Sequence, residues 1–145
     1  DVPRFTETDK ALLLDTLTVP SPDCYHRPDG MSWEEHSRNM FVAMEQTLAE
    51  HHASVAAVNV EPLIQGAGGM RMYHPIYLKL LRDACDRSGV HLIHDEIAVG
   101  FGRTGTTFAC APAGLRPDFL CPPKAPTGGF PPPAGGLYTR RVYAP

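Results

Sequence analysis

The run V-H-L-I-H-D-E-I, Val90 to Ile97, is followed by G-F-G-R-T-G, Gly100 to Gly105, and later by P-P-K-A-P-T-G-G, in which the lysine is Lys124. The first part reads as a short apolar strand, Val90 to Ile93, that delivers a carboxylate, Asp95, at its C-terminal end. Open α/β sheets bind their ligands beyond the carboxyl ends of strands. A second apolar run, Asp118 to Cys121, precedes Lys124. A carboxylate and an amine thus each stand just past a strand, which makes them a candidate pair of site residues.

Upstream, S-V-A-A-V-N-V (Ser54 to Val60) reads as a buried strand, ended by Glu61-Pro62 because proline cannot donate to a ladder. Q-G-A-G-G (Gln65 to Gly69) reads as a flexible loop. His74 to Ser88 reads as a helix, with Pro75 suited to its first turn and Gly89 past its end. Its apolar face is Ile76, Tyr77, Leu80, Leu81 and Ala84. Ser54 to His94 is therefore strand, helix, strand, the length of a βαβ unit, and such units imply a parallel sheet covered by helices. An earlier helix is predicted from Ser32 to about His51. Ser32 and Glu35 make a capping box, and Trp33, Met40, Phe41, Met44 and Leu48 recur at helical spacing. Val19 to Gly30 is loop by composition. Thr106 to Ala109 is a short strand or turn, and Leu137 to Thr139 one more strand.

The totals set bounds. A chain of 145 residues suits one domain or part of one. The formal net charge of -3 carries no block of like charges and gives no electrostatic footprint for nucleic acid or an anionic membrane. No apolar run approaches the ~18 residues of a membrane span. Cys24, Cys85, Cys110 and Cys121 form no CxxC pair, so reduced thiols in a cytoplasmic protein are expected rather than a disulfide framework or a zinc site. The chain reads as an internal fragment.

Other chemistries fit less well. Gly66 to Gly69 follows a strand but is not spaced as G-x-G-x-x-G, so a dinucleotide loop is not supported. His51-His52, His91 and His94 lack a pattern such as H-E-x-x-H, and no metal centre is expected. Asp95, Glu96 and Glu61 could pair as glycosidase carboxylates, but no sugar-stacking aromatics stand nearby. A pyridine cofactor, in contrast, needs a lysine for its Schiff base and an acidic partner for its ring nitrogen.

V-E-P-L-I-Q-G-A-G-G-M-R-M-Y-H-P (Val60 to Pro75), D-E-I-A-V-G-F-G-R-T-G (Asp95 to Gly105) and K-A-P-T-G-G (Lys124 to Gly129) together resemble class III pyridoxal-phosphate aminotransferases. Within the family they are most similar to the branch that serves biotin synthesis. The resemblance runs from about Val55 to Thr139. It implies an α/β fold, a fragment of the fold type I large domain with a mostly parallel sheet and helices on both faces. Residues 1–53 would be a loop and helix region, residues 54–145 the βαβ core with the cofactor motifs, and the small domain would lie outside the chain. It implies pyridoxal 5'-phosphate as cofactor, a small-molecule amino donor and keto acceptor, and a homodimer with the active site at the subunit interface. Asp95 would bind the pyridine nitrogen, Ile97 would pack on one ring face, and Lys124 would be the Schiff-base lysine. Glu61 and Arg103 would lie on the substrate side. Ala98 stands where many relatives have a glutamine.

The surroundings of Lys124 depart from the family pattern. Six of the 15 prolines fall between Pro122 and Pro133. Pro122-Pro123 replace leucine and a small hydroxyl residue, and Pro126 replaces leucine. Each proline removes an amide donor and restricts its predecessor. With Gly135-Gly136 in a strand position, this window reads as sequence damage or misreading. The chain alone is expected to bind cofactor poorly and not to turn over.

Overall fold

The computed structural model describes residues 14–124 and 135–143. Pro126 and Pro131 to Pro133 lie outside these residues, as do Ala125 to Gly129 of the lysine motif. Helix α1 spans Trp33–His51, β1 Ala57–Val60, β2 Ile64–Gln65, β3 Arg71–Met72 and α2 Ile76–Ser88. Strand β4 spans His91–Asp95, β5 Phe119–Cys121, β6 Leu137–Tyr138 and the short α3 Arg140–Tyr143.

The βαβ unit is present. Strands β1 and β4 are parallel, in register from Ala57 opposite His91 to Val60 opposite His94, with α2 between them in sequence. Strand β5 continues the sheet in parallel, and β6 closes it antiparallel. The order β1-β4-β5-β6 is therefore mostly parallel. Two boundaries move. The first strand begins at Ala57, because the Ser54 amide donates to the His51 carbonyl and closes the turn after α1. Strand β4 runs on to Asp95, so the carboxylate is its last residue.

Gln65 to Gly69 is not a plain loop. Gln65 belongs to β2, which pairs antiparallel with β3, so Ile64 faces Met72 across a glycine-rich turn. The Cys24 amide donates to the Met72 carbonyl at 2.8 Å, which ties the early loop to this hairpin.

Both long helices feed one core. Phe41 and Leu48 of α1 meet Tyr77, Leu78, Leu81, Ala84 and Cys85 of α2, and Leu92 of β4 joins the same cluster. The periodicity misplaces two faces by a residue or two. Trp33 is 40% exposed, and Ser37 takes the first buried place on α1. Its hydroxyl contacts the Cys24 thiol at 3.3 Å and accepts from the His74 amide at 3.1 Å, so α1 docks through a polar clasp. On α2, Leu78 and Cys85 are buried where Ile76 and Leu80 were expected. The Ser32 hydroxyl caps α1 by accepting from the Glu35 amide, and Gly89 ends α2 at φ 69°, a left-handed position that suits glycine.

Asp118 locks β5 against β4. Its amide donates to the Leu92 carbonyl, and its buried carboxylate accepts from the Leu92 amide and from Arg82, each at 2.8 Å. Burial alone would push this carboxyl up, but the Leu92 amide and the Arg82 and Arg141 guanidiniums outweigh it and hold it below the usual carboxylate range. The start of β5, and with it the position of Lys124, is thereby set.

Candidate active site

The carboxyl ends of β4 and β5 lie side by side, with Asp95 opposite Cys121 in the register. Beyond them the chain folds back on itself. The Asp95 carboxylate accepts from the Ile97 amide at 3.0 Å through Oδ1, and among the described residues its Oδ2 accepts from nothing. The Glu96 amide donates to the Cys121 carbonyl at 3.1 Å. The Lys124 amide then donates to the Ile97 carbonyl at 3.3 Å. Asp95 and Ile97, two residues apart, are joined to the sequence-distant Lys124 in one hydrogen-bonded relay of backbone and carboxylate.

Pro122 and Pro123 do not break this relay. They follow β5, where the ladder has already ended, and the next donor it needs is the amide of Lys124. Pro123 is fully buried against Gly100. A Cβ at Gly100 would stand 2.8 Å from the Pro123 ring and 3.0 Å from a Glu96 carboxylate oxygen, so only glycine fits.

An open cleft of about 810 Å³ lies over this corner. Ile64, Met70, Ile97, Phe101, Arg103 and Lys124 are among its lining residues. Ile97 is 37% exposed and presents an apolar surface beside the lysine. Asp95 is half-buried and is not among the lining residues; burial first, and then the Asp95 charge, raises the Cys121 thiol. Glu61 does not line the cleft: its carboxylate accepts from the Gly66 amide at 2.9 Å, and its carbonyl accepts from the Tyr73 hydroxyl. It shapes the hairpin turn from behind. Ala98 lines the cleft where a glutamine would reach further in.

Sequence reasoning missed Met70 and Phe101. Both hold positive φ, 56° and 52°, which is strained for side chains of their size. The signal was present: each stands beside a glycine in one of the two glycine-rich runs.

Glu96, weighed above as one of a pair of glycosidase carboxylates, is fully buried. It accepts from the Ala109 amide at 2.7 Å and the Cys110 amide at 3.0 Å, and so pins the 101–110 loop under the cleft. His94 is also fully buried. Burial and the nearby Arg82 charge push its pKa down to about 4, so the ring is neutral at pH 7.

The donor set fits a pyridine cofactor. Asp95 and Lys124 stand at and beyond the ends of neighbouring strands and are joined through Ile97; Ile97 and Lys124 line the open cleft, Asp95 does not, and among the described residues its Oδ2 has no donor. Among the described residues no helix is long and apolar enough to cross a membrane.

Comparison with known proteins agrees. The class-III aminotransferase family matches residues 5–143. The adenosylmethionine-8-amino-7-oxononanoate aminotransferase of Nitratidesulfovibrio vulgaris is 43% identical over 91% of this chain and 24% of its own length. The protein of that name from Mycobacterium leprae is 56% identical over 61% of this chain and 20% of its own length. Among solved structures, a transaminase from directed evolution by ancestral reconstruction superposes with a TM-score of 0.83 at 27% identity, covering 98% of this chain and 31% of that one. The ω-transaminase of Pseudomonas jessenii in complex with PMP gives 0.76 at 31% identity, over 86% and 28%. The chain spans about a quarter of the curated relatives it matches. It belongs to the class-III aminotransferase family.

Proposed function

We propose that this chain carries the lysine and the ring-nitrogen carboxylate of a pyridoxal-phosphate-dependent transamination, and that the full-length protein moves an amino group from S-adenosylmethionine to 8-amino-7-oxononanoate. The observation that carries the reading is the relay from Asp95 through Ile97 to Lys124. When bound, pyridoxal phosphate supplies an aldehyde that captures an amine and a ring that withdraws electrons from the adjoining carbon.

The chain's own residues then divide the work. Lys124 is the residue whose Nζ would hold the cofactor aldehyde, and its amine, when not so bonded, would serve as general base and then general acid. The Asp95 carboxylate, whose Oδ2 accepts from nothing among the described residues, would hold a proton on the ring nitrogen and stabilise positive charge there. Ile97 packs against a flat ring and excludes water from one side. Arg103, exposed at the cleft rim, meets an anionic group of substrate. Glu61 acts at one remove by holding the Gly66 turn. The full-length protein works as a homodimer in the cytoplasm. Exposed Tyr25, Trp33, Met70 and Met72 line a second open cavity that a partner copy would bury.

The branch assignment rests on the names of the relatives and on Ala98. A second reading, an ω-amino acid or diamine:keto-acid aminotransferase, is favoured by the backbone likeness to ω-transaminases. A single-turnover assay on the full-length protein separates them. Conversion of 8-amino-7-oxononanoate with S-adenosylmethionine, and none with a simple ω-amine, supports the first; the reverse supports the second.

A further inference from the structure

Three buried side chains meet beneath the end of β4, and the proposed transamination uses none of their donor atoms. His94 is fully buried, and neither ring nitrogen has a hydrogen-bond partner. Glu96 is fully buried; its carboxylate accepts from two backbone amides and meets the Cys110 thiol, and among the described residues it forms no ion pair. Cys110 is 7% exposed. One His94 nitrogen, one Glu96 oxygen and the Cys110 sulfur all lie within 4.8 Å of one another.

Each feature is unfavourable alone. A buried imidazole with no partner loses its hydration without replacement. A buried carboxylate without a cation is costlier still. A cation among the three would satisfy both. We propose that His94, Glu96 and Cys110 bind one divalent ion of the zinc class, held as a structural ion.

The donor chemistry selects the metal. Imidazole nitrogen, thiolate sulfur and carboxylate oxygen suit zinc or cobalt, whereas calcium and magnesium take oxygen alone. Thiolate and carboxylate together neutralise the two charges of the ion, and the imidazole binds as the neutral ring. On binding, the Cys110 thiol proton leaves to solvent, the S–metal bond forms, and no electron changes hands. Tetrahedral ligands on bonds of about 2.0–2.3 Å stand roughly 3.3–3.8 Å apart, so the three donors would draw in by about 1 Å. A fourth position remains for water.

The location gives the ion a consequence. Asp95 lies between two of the ligands, and Glu96 already holds the Ala109 and Cys110 amides. The ion would fasten the end of β4 to the 109–110 turn and fix the strand end that presents Asp95.

The test is cobalt titration of the purified, chelator-stripped chain at neutral pH. One equivalent of Co2+ should bring a thiolate-to-cobalt charge-transfer band in the near ultraviolet. Cys110→Ala should abolish that band, and His94→Leu should weaken binding by at least about 10-fold. Stoichiometric Zn2+ should raise the Tm of the parent chain and leave that of Cys110→Ala unchanged. Cys110→Ala removes only a sulfur atom, so it serves if His94→Leu fails to fold. No thiolate band at stoichiometric cobalt, or a band that survives Cys110→Ala, would overturn the proposal, as would an equal rise in Tm for parent and variant.

Discussion

The backbone amide of Lys124 donates to the carbonyl of Ile97 at 3.3 Å, while the amide of the same Ile97 donates to the carboxylate of Asp95. One residue thus couples the two groups on which the proposed chemistry depends. Replacing Asp95 by Asn keeps an oxygen acceptor for the Ile97 amide and removes the charge. Asp95→Asn is expected to change stability by less than about 1 kcal/mol while lowering transamination in the full-length protein by about 100-fold or more. Chemical denaturation and initial rates measured on the same variant check both halves.

Gly100 sits under the relay. A methyl group there meets the Pro123 ring, a Glu96 carboxylate oxygen and the Glu96 carbonyl, all at 3.2 Å or less. Neither the buried ring nor the backbone is free to give way. Gly100→Ala should cost about 1–3 kcal/mol, read from urea midpoints. It should also weaken cofactor capture, because relief requires Pro123, and Lys124 next to it, to move.

Much of this arrangement was legible in the sequence. The apolar runs and the helical spacing found β1, α2, β4 and β5, and with them the places of Asp95 and Lys124 at and beyond the ends of two neighbouring strands. The hairpin of β2 and β3 was not legible, since two-residue strands carry no periodicity and glycines dominate the turn. Glu61 was placed on the substrate side, yet nothing in V-E-P-L-I-Q-G shows that its carboxylate turns back to the Gly66 amide. His94, Glu96 and Cys110 match no spacing rule, because the strand end and a distant turn bring them together only in three dimensions. The proline window read as damage at Pro122-Pro123 is tolerated there, since both residues fall after the ladder has ended.

Asp118 predicts a pH dependence. Its folded carboxyl titrates below the ordinary value of 3.8. A depressed carboxyl stabilises the fold fully above its unfolded pKa, and the contribution is lost as pH falls from about 3.8 through the lower folded value. Asp118→Asn should therefore flatten the stability profile in that acid window. At neutral pH it should cost about 1–3 kcal/mol, because the Leu92 amide and Arg82 lose a charged acceptor while Arg82 keeps its pair with Asp86. Denaturation curves of parent and variant across pH 2 to 7 check the sign.

Ser37 clasps α1 to the start of α2. With the His74 amide left unsatisfied, Ser37→Ala should cost about 1–3 kcal/mol. Thermal melts should show the loss, and the exposed cap variant Ser32→Ala should lose about 1 kcal/mol.

The most direct test is covalent capture of the cofactor. The purified chain is incubated with pyridoxal phosphate, reduced with borohydride, digested, and the label mapped over its three lysines, Lys10, Lys79 and Lys124. With the cofactor in excess, label at low yield but confined to Lys124, and lost in Lys124→Ala, is the predicted result. Label spread over all three lysines, or none at all, would contradict the account and leave the chain with the motifs of its family but without a working site.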